Sequence, residues 1–272
     1  GARFASLAEQ LVLRKAGMQY STFKPLDALT RDFSQGHAGP PSGAGTIVRP
    51  FTENTAQWAA GFLFSNTTEF ARFTILLMDG GMLDGTRVLA ADAVQRMTTG
   101  YATIPGTSTS KYGYGLNVGL RGSDRIWQHG GSINGFDASV TMFPDRKIAV
   151  ILFDNRGGNP LNGVVDFIAK DVAGMVPPVA SVPSPERAPD AAERAQLVGT
   201  FKQGSSVVTL FEEGGVLKLR QGTGVLSAML AGDERIVLTP PAGAKVTLLL
   251  VRGSDGRVEY LHQGLRALAR QP

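Results

Sequence analysis

His129-Gly130-Gly131-Ser132 is the stretch of this chain best suited to chemistry. Its imidazole belongs to the side-chain type whose charge changes nearest neutral pH. Its two glycines sit between segments that read as strand, where glycine weakens the backbone unless something approaches it closely. Trp127-Gln128 precedes the stretch, and Ile133-Asn134-Gly135-Phe136 follows it. The residues alone support two readings: a strand edge bordering an open pocket, or a tight hairpin turn with an incidental histidine.

Other chemistry is sparse. The chain has three histidines, His37, His129 and His262, and no cysteine. Disulfides, thiolate catalysis and cysteine-ligated metals are therefore excluded. No H-E-x-x-H pattern is present, so neither a metal site nor another cofactor is expected. The formal charge of +4 is spread over both halves without a long basic run. With no recognition motif beside it, that charge does not predict a nucleic-acid partner. No stretch is long and apolar enough to predict a transmembrane segment. The chain opens on Gly1-Ala2-Arg3 without a methionine, which leads us to expect that the true N-terminus was removed or lies elsewhere.

The elements that must position His129 are legible. Lys111 to Gly119, rich in aromatics and glycine, reads as an upstream strand. Phe136 to Phe143 alternates, and Lys147 to Phe153 is nearly all apolar, as expected of a buried strand. Pro144-Asp145 between them predicts a hairpin. Phe4, Leu7, Ala8 and Leu11 have helical spacing over residues 4–16, with Gly17 as the stop. Residues 31–58, with His37 and the Gly39–Gly45 stretch, read as loop. Asn66 and Glu69 predict a reciprocal cap on a helix that buries Phe70, Phe73, Leu76 and Leu77. Ala91–Met97 and Leu161–Met175 read as further helices. Prolines at 177, 178, 183, 185 and 189 mark 176–192 as a linker or strap. Beyond it, residues 193–272 carry seven short runs of β-formers with glycine turns. They predict a small antiparallel sheet or barrel in which His262 is a structural or surface residue.

Taken in order, several segments carry a family resemblance. Gly17-Met18 with Thr22-Phe23, Ala60-Gly61-Phe62-Leu63-Phe64-Ser65 with Glu69 to Phe73, Tyr112-Gly113-Tyr114-Gly115-Leu116, His129-Gly130-Gly131, Gly135-Phe136 and Pro144-Asp145 follow one another over about 140 residues. Residues 1–175 thereby resemble the C-terminal portion of the serine β-lactamase-like fold, in the group of class C β-lactamases, D-alanyl-D-alanine carboxypeptidases and esterases. Residues 194–272 resemble the β-rich module appended to some members. The fold class this implies is α/β (α+β): an antiparallel sheet flanked by helices, incomplete at its N-terminus, plus a small all-β C-terminal domain.

The resemblance also implies an activity. Members form an acyl-enzyme on the serine of a Ser-x-x-Lys motif, aided by Tyr-x-Asn and a Lys/His-x-Gly strand. By family order the first two motifs precede residue 1. His129 would take the lysine's place, and the Ser132 N–H would form half of an oxyanion hole. Gly130, Gly131 and Asn155 would contact substrate, with the Gly39–Gly45 loop at the rim. Imidazole in place of ammonium, and Gly130 in place of a hydroxyl residue, favour an esterase or D-Ala peptidase over a true β-lactamase. Ser21-Thr22-Phe23-Lys24 matches Ser-x-x-Lys literally, but Pro25 and the absence of helical periodicity make it a decoy. The implied partners are a small-molecule or peptide substrate and the missing N-terminal portion of the same protein. The implied location is extracytoplasmic (periplasmic or secreted). The competing class is a non-catalytic protein that binds through the same groove and the β module.

Overall fold

The computed structural model describes residues 3–39, 45–50, 54–104, 110–133, 135–157, 162–175, 184–241, 245–263 and 266–272. The chain forms two compact units, one of Gly1–Thr103 with Thr109–Val179 and one of Ile104–Ser108 with Ala180–Pro272.

In the first unit, helix α1 (Phe4–Ala8) runs on into a wider turn at Glu9–Leu13. Gly17, at φ +71°, ends it as expected. Helix α2 (Pro25–Leu29) follows, with proline at its first position. The region read as loop contains a small ladder, β1 (His37–Ala38) against β2 (Thr46–Ile47). Helix α3 (Thr67–Met78) buries Leu76 and Leu77 completely. Strands β3 (Met82–Leu83) and β4 (Thr86–Arg87) pair as a short hairpin before helix α4 (Ala91–Met97).

A six-stranded antiparallel sheet is the frame of this unit. Its strands are β5 (Ala102–Thr103), β6 (Lys111–Tyr112), β7 (Asn117–Arg121), β8 (Asp124–Ile133), β9 (Phe136–Phe143) and β10 (Ile148–Asp154), in the order β10-β9-β8-β7-β6-β5. The strand read over Lys111–Gly119 is split in two, because Gly113 to Leu116 turns the chain and the Gly113 N–H bonds the Leu116 carbonyl. Register pairs Trp127 with Met142 and Met142 with Ala149. This face packs on Leu77, Met78 and Val94 of α3 and α4. The opposite face, with Ile126, Phe143 and Val150, packs on Val165 and Ala169. The last two residues belong to helix α5 (Asn162–Phe167) and the wider turn Ile168–Val172 that continues it. The expected Pro144-Asp145 hairpin is present. Arg125 donates to Asp145 across its base and holds that carboxyl below the usual range.

The second unit is a closed barrel. Strand β11 (Glu186–Arg187) pairs with Leu230 and Ala231, and helix α6 (Ala191–Leu197) opens on a full capping box between Asp190 and Glu193. Eight strands follow: β12 (Gly199–Gln203), β13 (Ser206–Glu213), β14 (Val216–Gln221), β15 (Gly224–Ala231), β16 (Arg235–Leu238), β17 (Val246–Arg252), β18 (Val258–Gln263) and β19 (Arg266–Arg270). Each pairs with the next, and β12 pairs with β19, so no edge of the eight is left open. The seven runs read from sequence are seven of these strands. The eighth, β12, escaped because of its five residues only Phe201 is buried. Phe201, Leu210, Leu217, Leu230, Ile236 and Leu261 fill the interior, which is a packed core. Arg270 lies 4.8 Å over the Phe201 ring and donates to the Gln196 and Val198 carbonyls at the end of α6. Burial lowers its pKa.

Candidate active site on strand β8

Strand β8 is the longest of its sheet and carries His129, Gly130, Gly131 and Ser132 in its last half. On one side it pairs with β9 along this whole stretch, from His129 opposite Val140 to Ser132 opposite Asp137. On the other side β7 pairs only as far as Gln128, opposite Asn117. From His129 to Ile133, among the described residues, that edge of β8 has no strand partner. The His129–Ser132 stretch is thus neither the turn itself nor an interior strand.

The glycines there answer no packing demand of the described residues. A Cβ on Gly131 would meet nothing within 4 Å, and one on Gly130 would meet only the Ala138 carbonyl at 3.5 Å. Both are exposed, as is Ser132. Gly135 is different. It has φ +86°, and a Cβ there would lie 2.7 Å from the backbone of Gly36. One glycine is fixed by the fold, and the other two are required by no close contact among the described residues.

His129 is half-buried. Its Nε2 lies 3.1 Å from the hydroxyl of Tyr112 at the end of β6. A concavity of about 320 Å³ opens at the end of β8, lined by His37, Ala38, Gly39, Ser132, Ile133, Gly135 and Gly157. The segment carrying His37 is stitched to the strand ends: its N–H donates to the carbonyls of Asn155 (2.9 Å) and Gly135 (3.2 Å). The His37 Nδ1 also approaches the Asn155 carbonyl at 3.3 Å. Asn155 donates from its side chain to the Gln35 carbonyl at 3.1 Å, so it anchors the wall of the concavity. Gly39 lines the concavity, and residues 40–44 of the expected rim loop fall outside the described residues.

A family model described as Beta-lactamase matches residues 1–175. The chain belongs to this family. It is also similar to solved structures: SurE, with 22% identity and TM-score 0.75 over 98% of this chain and 63% of that one; and SurE with D-Leu, with 23% identity and TM-score 0.71 over 98% and 62%. The octameric penicillin-binding protein homologue from Pyrococcus abyssi is similar too, with 17% identity and TM-score 0.55 over 98% and 60%. At these identities the likeness is one of fold. The chain spans less than two thirds of the length of these structures. No curated protein matches it.

The β-lactamase family works through an activated serine, so the environment of Ser21 is informative. Ser21 is fully buried. Its hydroxyl donates to Glu69 at 2.6 Å and lies 2.8 Å from the Ser65 hydroxyl. Lys24 points elsewhere, 3.8 Å from carboxylate oxygens of Glu9 and Asp27. Thr22 is bridged to Phe64 in extended form, so Ser21 and Lys24 do not share a helix face. A second literal Ser-x-x-Lys, Ser108 to Lys111, has its serine outside the described residues and its lysine on β6.

Glu69 also corrects the expected cap. Asn66 accepts from the Glu69 N–H at 2.9 Å, but the Glu69 carboxylate does not return the bond. It is buried, and it accepts instead from Ser21 and from the Tyr20 N–H at 2.8 Å. A buried carboxylate needs several donors, and these two outweigh one N–H at a helix end.

Two residues beside the candidate site were not among its members predicted from sequence. Tyr112 was legible only as part of a Tyr-Gly-Tyr-Gly marker, with nothing in its spacing to aim it at His129. His37 was read as a loop residue, and only the pairing of its segment with Gly135 and Asn155 brings it to the concavity. Among the described residues no group of three or more His, Asp or Glu side chains is placed to hold a metal, and no helix is long and apolar enough to cross a membrane.

Proposed function

We propose that this chain supplies one wall of the active site of a serine hydrolase that works by acyl-enzyme transfer on an amide, lactam or ester. The observation that carries the reading is the pair of exposed glycines beside His129, on an open strand edge, where the fold does not require them. In this reading an extended substrate lies along His129–Ser132. The Ser132 N–H is one oxyanion donor, and the N–H of the nucleophile is the other. His129 interacts with the substrate or the developing charge, and Gly130 and Gly131 let the substrate backbone approach. Asn155 acts indirectly, through the wall it anchors. The Ser-x-x-Lys nucleophile and the Tyr-x-Asn motif come from polypeptide upstream of residue 1, in keeping with the greater length of the similar structures.

The substrate favoured is a peptide or ester rather than a β-lactam, because neither a lysine nor a hydroxyl residue stands at 129 or 130 to bind a carboxylate firmly. A D-configured residue next to the scissile bond fits this group, and the SurE structure with D-Leu lends it support. The location we favour is extracytoplasmic, periplasmic or secreted. The second reading, a non-catalytic binding protein, draws on the burial of Ser21.

Intact-mass analysis with and without a serine-reactive acylating probe separates the two. The hydrolase reading expects one adduct on a longer chain or companion polypeptide that carries the upstream motifs. A protein that includes those motifs and takes up no adduct overturns it in favour of the binding protein.

A further inference from the structure

The Tyr112–His129 contact assigns a chemical role to the histidine. Of the two partners at 3.1 Å, the phenol O–H is a more acidic donor than a neutral imidazole N–H, and the unprotonated imidazole nitrogen is a stronger acceptor than the phenol oxygen. The favourable arrangement is therefore Tyr112 O–H donating to Nε2. A neutral imidazole carries one proton, and the hydrogen bond at one nitrogen decides where it sits. With Nε2 accepting, the proton is on Nδ1.

We propose that Tyr112 is a positioning residue that locks His129 as its Nδ1–H tautomer, so that His129 offers the site a hydrogen-bond donor and not a base. The inference rests on the proposed hydrolase function for its consequence, though not for the tautomer. The consequence is a substrate class. Opposite Nδ1–H the substrate presents an acceptor oxygen, a carbonyl or carboxylate next to the scissile bond, and not an ammonium or hydroxyl proton. The family's lysine is also a donor without an acceptor lone pair, so a locked histidine preserves the sense of that hydrogen bond while giving up the permanent charge. Free histidine in water prefers the opposite, Nε2–H form, so the lock is measurable.

The test is the two-bond proton–nitrogen correlation spectrum of protein with nitrogen-15 histidine at about pH 8, where neutral imidazole dominates. With only three histidines the spectrum is simple to assign. In the unmodified protein His129 is expected in the Nδ1–H pattern. In Tyr112→Phe, which keeps the ring, His129 reverts toward Nε2–H, while His37 and His262 are unmoved. An Nε2–H pattern in the unmodified protein overturns the proposal by itself, whether or not the variant folds. So does a Tyr112→Phe spectrum in which His129 is unchanged. In the intact hydrolase, Tyr112→Phe is expected to lower kcat/KM by about 10-fold, the weight of one ordinary hydrogen bond. A tautomer that flips with kcat/KM unchanged leaves the lock standing and removes His129 from the reaction, which is a failure of the functional reading.

Discussion

The barrel and the strand β8 edge use glycine and strand ends in opposite ways. In the barrel, Gly204, Gly214, Gly215 and Gly222 sit in hairpin turns at positive φ, where a side chain would be strained. Every barrel strand has two neighbours, and the interior is filled by leucines, isoleucine and phenylalanine. On β8, Gly130 and Gly131 lie within the strand at ordinary φ, and among the described residues a Cβ there would meet nothing closer than the Ala138 carbonyl at 3.5 Å from Gly130. Their strand outruns its neighbour β7 by five residues. The barrel spends its sequence on closing itself, and the β8 edge leaves backbone uncovered. That difference marks the candidate site more directly than composition does.

Substitutions in the two regions should therefore diverge in size and sign. The largest loss is expected for Phe201→Ala, which empties the centre of the barrel and strips the platform under Arg270. It should cost about 3–5 kcal/mol in denaturant unfolding followed by circular dichroism. A loss below about 1 kcal/mol would mean that the barrel is not closed around this ring as described. Next come two single-atom-scale changes in the first unit. Gly135→Ala forces a positive φ and a Cβ against Gly36, and should cost about 1–3 kcal/mol. Ser21→Ala removes a donor from buried Glu69 and should cost a similar ~1–3 kcal/mol without altering reaction with an acylating probe. Loss of labelling in Ser21→Ala at full folding would restore Ser21 as a nucleophile.

A smaller effect is expected in acid. The hydrogen bond from Arg187, helped by the Asp190 N–H at the start of α6, lowers the Glu193 pKa to about 2 from 4.5. A carboxyl depressed in the folded state stabilises it above the unfolded value, and that contribution disappears as pH falls from about 4.5 through about 2. Both partners are partly exposed, so solvent screens the pair. Glu193→Gln should flatten the acid dependence of unfolding in that window, and an unchanged acid profile would count against the Arg187 pairing. Smallest, and opposite in sign, is Gly131→Ala: a gain of up to about 1 kcal/mol from the reduced freedom of the unfolded chain. A clear destabilisation would show that Gly131 is structural after all.

Much of the fold was legible because it follows from patterning. Alternation in Phe136–Phe143, the apolar run to Phe153 and the turn at Pro144-Asp145 all form the hairpins that carry β8. What escaped rests on long-range contact. Glu69 looked like a capping residue because its three-residue offset from Asn66 is local, whereas Tyr20 and Ser21, its real partners, are 49 and 48 positions away. Tyr112 and His37 reach the site through strand order and backbone stitching, which leave no periodic trace. The glycine pair could be read as a turn until the register placed it within β8, beyond the last pairing with β7 at Gln128.

The proposed hydrolase function requires the β8 backbone from His129 to Ser132, whose edge has no strand partner among the described residues, to lie against the acylated serine. The most direct measurement is the rate at which a serine-reactive acylating probe forms its adduct on the protein expressed together with the upstream polypeptide proposed to carry the nucleophile, unmodified and as Gly131→Val. Valine suits a strand, and its Cβ meets nothing within 4 Å among the described residues, so melting should not fall. The account predicts adduct formation slowed by about 100-fold or more, comparable to the loss of one oxyanion donor. An unchanged rate in the folded variant would contradict it and place the reacting serine away from this edge.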